Sequence, residues 1–295
     1  IYMKKIFFFS FLIFLLLGCE KKVDFKLDQS SPKLVVDASI ENGEPPIVVL
    51  SKSINYFSKI SPQLLAESFV HNAVVEISDG VKAQKLKEYG IPLGNGYTIY
   101  YYSIDSSNLT SSFVGQLNKN YRLEIASEGE TYSASTTIPN ITKRIDSIRY
   151  KLTPNDTSEK KVIVMVTATD PAGYGDYIRY WTKRNREMFL PGFTSVYDDL
   201  VIDGTTYELE VEPGIDRNGS FSENKRAFKK GDTVTLKLSN INKTTYDFWR
   251  TMEYTYASVG NPFASPVKVL SNISNNALGY FGGYASQYRT IIIPR

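Results

Sequence analysis

The chain reads as a mainly β protein with a single helix in its C-terminal half. Three observations predict this. Short runs of alternating apolar and polar residues recur along it, with the two-residue period of a half-buried strand. Turn formers separate the runs at Asn42-Gly43, Asp79-Gly80, Gly94-Asn95-Gly96 and Gly129. The 21 Tyr and 16 Phe among 295 residues suit pleated, partly buried surfaces.

Folding is expected to begin at Leu34, where Leu34, Val36, Ala38 and Ile40 alternate with polar neighbours until Asn42-Gly43-Glu44-Pro45-Pro46 breaks the run. Ile47 to Leu50 starts the next strand. Ala73, Val75 and Ile77 follow, closed by the Asp79-Gly80 hairpin signal, and Tyr97 to Ile104 comes after the Gly94-Asn95-Gly96 turn. Tyr121, Leu123 and Ile125 make another alternation, and the turn at Gly129 leads into Thr131 to Ile138, which Pro139 ends. Strands of this length without a convincing helix predict an immunoglobulin/fibronectin-III-like β-sandwich over residues 33–139. Only the architecture is meant, because the tyrosine and tryptophan hallmarks of antibody domains are missing.

The segment PNITKRI, residues 139–145, is the best boundary, and residues 140–295 are expected to form a second β-rich domain. Its strands are marked by Ile148, Tyr150 and Leu152, by Val162, Val164, Val166 and Ala168, by Tyr177 to Thr182, and by Val234, Leu236 and Leu238. Residues 185–223 contain Pro191-Gly192, Asp203-Gly204 and Pro213-Gly214, and read as hairpins and long loops. The helix is predicted near 243–257. Asn242 can cap it, Tyr246, Trp249, Met252, Glu253 and Tyr256 share one face, and Gly260 and Pro262 stop it. That face reads as a structural lid on a sheet, with no ligating or titrating role. Beyond it come Asn261-Pro262-Phe263, the glycine-aromatic run Leu278-Gly279-Tyr280-Phe281-Gly282-Gly283-Tyr284, and a last strand at Ile291-Ile292-Ile293.

The beginning of the chain gives an address. Met3, the expected initiator, is followed by Lys4, Lys5 and an unbroken apolar run from Ile6 to Leu17, shorter than the ~20 residues that span a bilayer. Leu16-Leu17-Gly18-Cys19 then matches a lipobox, in which the cysteine accepts a diacylglyceryl group and a peptidase cuts before it. Residues 1–18 are thus expected to be a lipoprotein signal peptide, Cys19 the lipid attachment site, and the polar stretch 19–32 a tether. Loss of 1–18 takes Lys4 and Lys5 and leaves 32 basic against 31 acidic side chains, a balance that argues against bulk nucleic-acid binding. Cys19 is the one cysteine, so packing alone must hold the body.

No catalytic motif stands out, and no cofactor or metal is expected. His71, the one histidine, sits in Phe69-Val70-His71-Asn72 and reads as structural. Asp198, Asp199 and Asp203 with Gly204 could supply oxygen ligands to Ca²⁺, and Asp216, Asn218 and Gly219 open like a calcium loop without the later acidic ligands; both read first as turns. No P-loop, nucleophile elbow or HExxH occurs.

The lipobox, "LVVDASIENGEPPIVVLS", "DPAGYGDYIRYW", "KKGDTVTLKLSNINKTTYDFWRTME", "GNPFASP" and "LGYFGGYA" occur in an order that resembles a large family of Bacteroidota lipoproteins catalogued as a domain of unknown function. The resemblance covers essentially the whole chain after the lipobox. It implies an accessory lipoprotein, lipid-anchored in the outer membrane and partnered with a SusC-like TonB-dependent transporter in nutrient uptake. Glu20 after the cysteine agrees with the outer membrane and leaves its two faces open. The resemblance also makes Asp146-Ser147-Ile148 and Asp232-Thr233-Val234, which fit the Asp-Ser/Thr-aliphatic pattern that Bacteroidota O-glycosylate on exported proteins, candidate O-glycosylation sites at Ser147 and Thr233. Phe263, Tyr280, Phe281 and Tyr284 are the candidate partner-contact residues, against the alternative that these rings close the second β core. Two other functions stay open, an envelope hydrolase with carboxylates on loops and a structural or adhesive spacer.

Overall fold

The computed structural model describes residues 31–295 apart from 56, 57, 60, 95, 109–111, 157–159, 218–226, 262 and 266. The signal segment, Cys19 and nearly all of the tether lie outside the described residues, as do Asn218, Gly219 and Pro262.

The expected mainly β architecture is observed. The first half of the chain forms β1 (Leu34–Glu41), β2 (Ile47–Lys52), the short helix α1 (Pro62–Ser68), β3 (Val74–Ser78), β4 (Ala83–Lys85), β5 (Lys87–Gly94), β6 (Tyr97–Ser103), β7 (Lys119–Ser127) and β8 (Glu130–Ile138). The second half forms β9 (Arg144–Leu152), β10 (Lys161–Thr169), β11 (Tyr177–Arg184), β12 (Leu190–Tyr197), β13 (Thr206–Val211), β14 (Phe228–Lys229), β15 (Thr233–Ile241), α2 (Lys243–Ser258) and β16 (Leu278–Ile292). The Asp79-Gly80 hairpin is there, with Gly80 at φ +87° and the Asp79 carboxylate accepting the Val81 and Lys82 N–H groups. Asn242 caps α2 by accepting the Thr245 N–H at 2.8 Å. The helix α1 was not foreseen, although Ser61 caps it and Pro62 opens it.

One long sheet, ordered β12-β11-β15-β16-β1-β2-β6-β5, organises the molecule. β16 is its spine. Its first half runs parallel to β1, from Val35 opposite Leu278 to Glu41 opposite Tyr284. Its second half runs antiparallel to β15, from Asn240 opposite Ala285 to Thr233 opposite Ile292. This single strand joins the glycine-aromatic run to the expected last strand at Ile291-Ile292. The glycines are there because backbone comes close: a Cβ at Gly283 would lie 2.3 Å from the Thr137 carbonyl oxygen, and one at Gly279 1.9 Å from that of Val36.

The register sorts side chains by face. Val36, Ala38, Phe281 and Ala285 face the small sheet β4-β3-β7-β8 and build a first core with Val75, Leu123 and Ile138. On the same side, Ile178, Tyr180, Leu236 and Leu238 face the sheet of β13, β10, β14 and β9 and build a second core with Val162, Val164 and Phe228. The opposite face carries α2 over Tyr177, Trp181, Val196, Ile241 and Tyr284. The expected boundary at 139/140 falls between the two cores. The long sheet crosses it, and Pro32–Arg295 forms one compact unit.

Candidate functional site

Two turns, residues 170–176 after β10 and residues 198–205 after β12, lie side by side. Asp199 fixes them by accepting the N–H groups of Gly175 and Asp176 at 2.7 and 2.9 Å. Asp203 accepts the Gly173 N–H at 2.6 Å, and the Asp170 N–H donates to the Thr205 carbonyl at 3.0 Å. From α2, the Tyr246 hydroxyl donates to Asp198 at 2.9 Å, and Thr142 donates to Asp176 at 2.6 Å. Bonds to ionised carboxylates are the stronger kind, so these turns are held rigidly.

Beneath them Lys143 and Asp170 form an ion pair, Nζ to Oδ1 at 3.2 Å, with both side chains 0% exposed. The contact lacks good hydrogen-bond geometry on either partner. Asp170, Asp176 and Asp199 each bring a carboxylate oxygen within 4.8 Å of the others, a spacing able to hold a divalent cation. The Lys143 ammonium already supplies positive charge there, so the trio reads first as an internal charge cluster that binds the linker to both turns. Burial pushes the Asp170 carboxyl up, with Lys143 opposing. For Asp199 burial acts the same way, but the Asp176 and Gly175 N–H groups and the Lys143 charge outweigh it and hold the carboxyl low.

Between the points where the turns are pinned stand apolar side chains with nothing over them. Tyr174 is 73% exposed, Leu200 70% and Val201 93%. Three exposed apolar side chains thus stand on turns braced by carboxylates.

A second assembly fixes α2. Arg179 of β11 is buried with its guanidinium carbon 3.3 Å from the Trp249 ring centre and 4.6 Å from that of Trp181. Its Nε donates to the Ser195 hydroxyl at 3.2 Å. That hydroxyl donates in turn to Glu253, whose carboxylate also accepts the Ser195 N–H at 3.1 and 3.2 Å. Trp249 Nε1 donates to the Tyr284 hydroxyl at 2.8 Å. The helix face thus carries a titratable group after all: Glu253 is buried and tied through Ser195 to Arg179. Ser195 is fully buried, and its role is to join β12 to α2.

The residues singled out from the sequence fall in different places. Tyr280, Phe281 and Tyr284 are buried, because the N-terminal half of β16 lies at the centre of the long sheet. Tyr280 stacks on Phe248, 4.5 Å between ring centres. These three offer no outer surface, whereas Phe263 is 93% exposed. Ser147 is exposed on β9, and Thr233 is half-buried at the start of β15, its N–H donating to Asn185. His71 pairs with Glu88 at 2.5 Å, and Glu88 also accepts from the Asn72 N–H and the Tyr102 hydroxyl. Of the aspartates considered as calcium ligands, Asp199 alone joins the cluster. Lys143 and Asp170 escaped notice because their meeting is a tertiary event. Arg179 left one trace, a cation inside the aromatic strand sequence Tyr177-Ile178-Arg179-Tyr180-Trp181.

The sequence profile of the domain-of-unknown-function family DUF4249 matches residues 20–290. The chain belongs to that family. No curated protein matches it.

Proposed function

We propose that the chain is a lipid-anchored binding protein of the outer membrane, held by Cys19 and docking on a SusC-like TonB-dependent transporter through the tip formed by Tyr174, Leu200 and Val201. The exposure of those three side chains on turns braced by Asp199 and Asp203 carries this reading. Rigid turns lose little entropy when a partner covers them. The lipobox at Leu16–Cys19 supports the anchor, and the family resemblance supports the kind of partner. Converging carboxylates would favour a hydrolase, but here they are spent on Lys143 and on backbone N–H groups.

Two experiments test it. Labelling with an alkyne fatty acid should tag the wild type and miss Cys19→Ala; equal labelling removes the anchor. Detergent pull-down from native membranes, read by mass spectrometry, should recover a TonB-dependent transporter. The double variant Leu200→Ser with Val201→Ser should keep its melting temperature and lose that recovery, since truncated interface anchors cost ~2 kcal/mol or more. Undiminished recovery moves the contact away from the tip.

A further inference from the structure

The second core is not filled. A cleft of about 160 Å³ lies between the long sheet and the sheet of β10 and β13. Its walls are Val166, Ala168, Ile178, Leu236 and Leu238. It opens where β12 and β13, each at the end of its sheet, leave the sandwich unsealed. At the rim stand Tyr197 and Leu209, both half-exposed and turned towards it. Protein interiors are normally packed with few voids larger than a water, and an apolar cavity of ~150 Å³ takes up benzene.

The charged side chains in its lining, Glu210 and Glu212, are of one sign. Burial raises the Tyr180 and Tyr197 hydroxyls, and the carboxylates of Glu212 and Glu253 push both further up. Burial likewise brings Tyr207 to about 12. The three hydroxyls therefore stay protonated at neutral pH. Glu212 lines the cleft and is exposed to solvent.

We propose that this cleft binds a small apolar ligand, one aromatic ring or a branched chain of similar bulk, bearing a neutral or cationic hydrogen-bond donor. The walls offer only dispersion and burial, which sets the apolar body. The Glu212 carboxylate in the lining sets the head group, and a second carboxylate would meet like charge there. The site shares no side chain with the exposed tip, so it stands or falls apart from the docking proposal.

The test is a titration of the full-length protein with three probes of one ring and different heads: 2-phenylethylamine, 2-phenylethanol and 3-phenylpropionate. Methyl NMR shifts of Val166, Leu236 and Leu238 report occupancy. The amine and the alcohol should move these methyls with saturation, and the acid should bind at least ~tenfold more weakly than the amine. Leu209→Trp, at a half-exposed position on an edge strand, should leave the spectrum native and weaken the amine at least ~tenfold by filling the mouth. Glu212→Gln should bring the amine down to the level of the alcohol. The proposal is overturned if no probe moves the methyls, if the acid binds as well as the amine, or if natively folded Leu209→Trp binds the amine as the wild type does.

Discussion

The two cores on the inner face of the long sheet share one pattern and are completed differently. The first is mostly aliphatic, with Phe281 from β16 and Tyr121 from β7 filling it and Gly283 letting the small sheet come close. The second leaves a cleft among tyrosines and has a buried Lys143–Asp170 pair at the end of β10. One half of the molecule is packed for stability, while the other accepts an open space and a buried charge. Such departures from tight packing concentrate where a surface or a pocket is needed.

The contrast can be broken experimentally. The largest effect should come from Gly283→Val in the first half, where the new side chain meets the Thr137 backbone rather than a movable group. A loss above ~4 kcal/mol in urea unfolding is expected. A near wild-type midpoint would mean that the two layers are not held so close. Next, Phe281→Ala should cost ~4 kcal/mol and Leu238→Ala, already beside open space, ~2 kcal/mol. The reverse order would erase the distinction between the cores.

Charge sharpens it further. Lys143→Met should cost ~3 kcal/mol near neutral pH by leaving buried carboxylates without their cation. Asp170 has a raised folded pKa, so the folded state takes up its proton more readily, and part of that loss should return as the pH falls. The first half behaves with the opposite sign. At Asp79 burial is outweighed by hydrogen bonds from Lys119, Lys82 and Val81, which bring its pKa from 3.8 to about 2. A depressed pKa gives stability above the unfolded value that is lost as the pH falls from 3.8 towards about 2, and Asp79→Asn should flatten that acid limb in a melting-temperature series. The smallest effect belongs to Arg149→Ala. Its two short bonds to Glu208 lie on the solvent side of the sheet of β9, β10 and β13, where water screens them, and removal should leave the urea midpoint close to that of the wild type.

What was legible depended on whether the cause was local. The alternations at Leu34–Ile40 and Tyr121–Ile125, the Asp79-Gly80 hairpin and the Asn242 cap are set by neighbours in the chain, and all are present. Gly279 and Gly283 break up the glycine-aromatic run, and glycine usually weakens a strand. Here approaching backbone demands it, and that backbone belongs to Val36 and Thr137. The stretch holding β12 and β13 reads as hairpins and long loops from its Pro-Gly and Asp-Gly pairs, yet the two strands pair with β11 and β10 and not with each other. The candidate site was the least legible. Asp199 was visible as a loop acid, yet its partners come from the linker and from the end of β10, and the exposure of Leu200 and Val201 is decided only once the two turns are joined.

The pairing of β1 with β16 also bears on the order in which the molecule can be made. The first of the described strands finds its parallel neighbour only in the last of them, the 15-residue β16. Until then β1 and β2 are a hairpin with a bare edge, whose N–H and C=O groups can recruit any extended chain nearby. Such distant pairing makes for slow closure. A ribosome-stalled or C-terminally clipped chain lacking β16 should therefore stay protease-sensitive as a whole, its early strands included, and should become resistant in one late step when the final strand is restored.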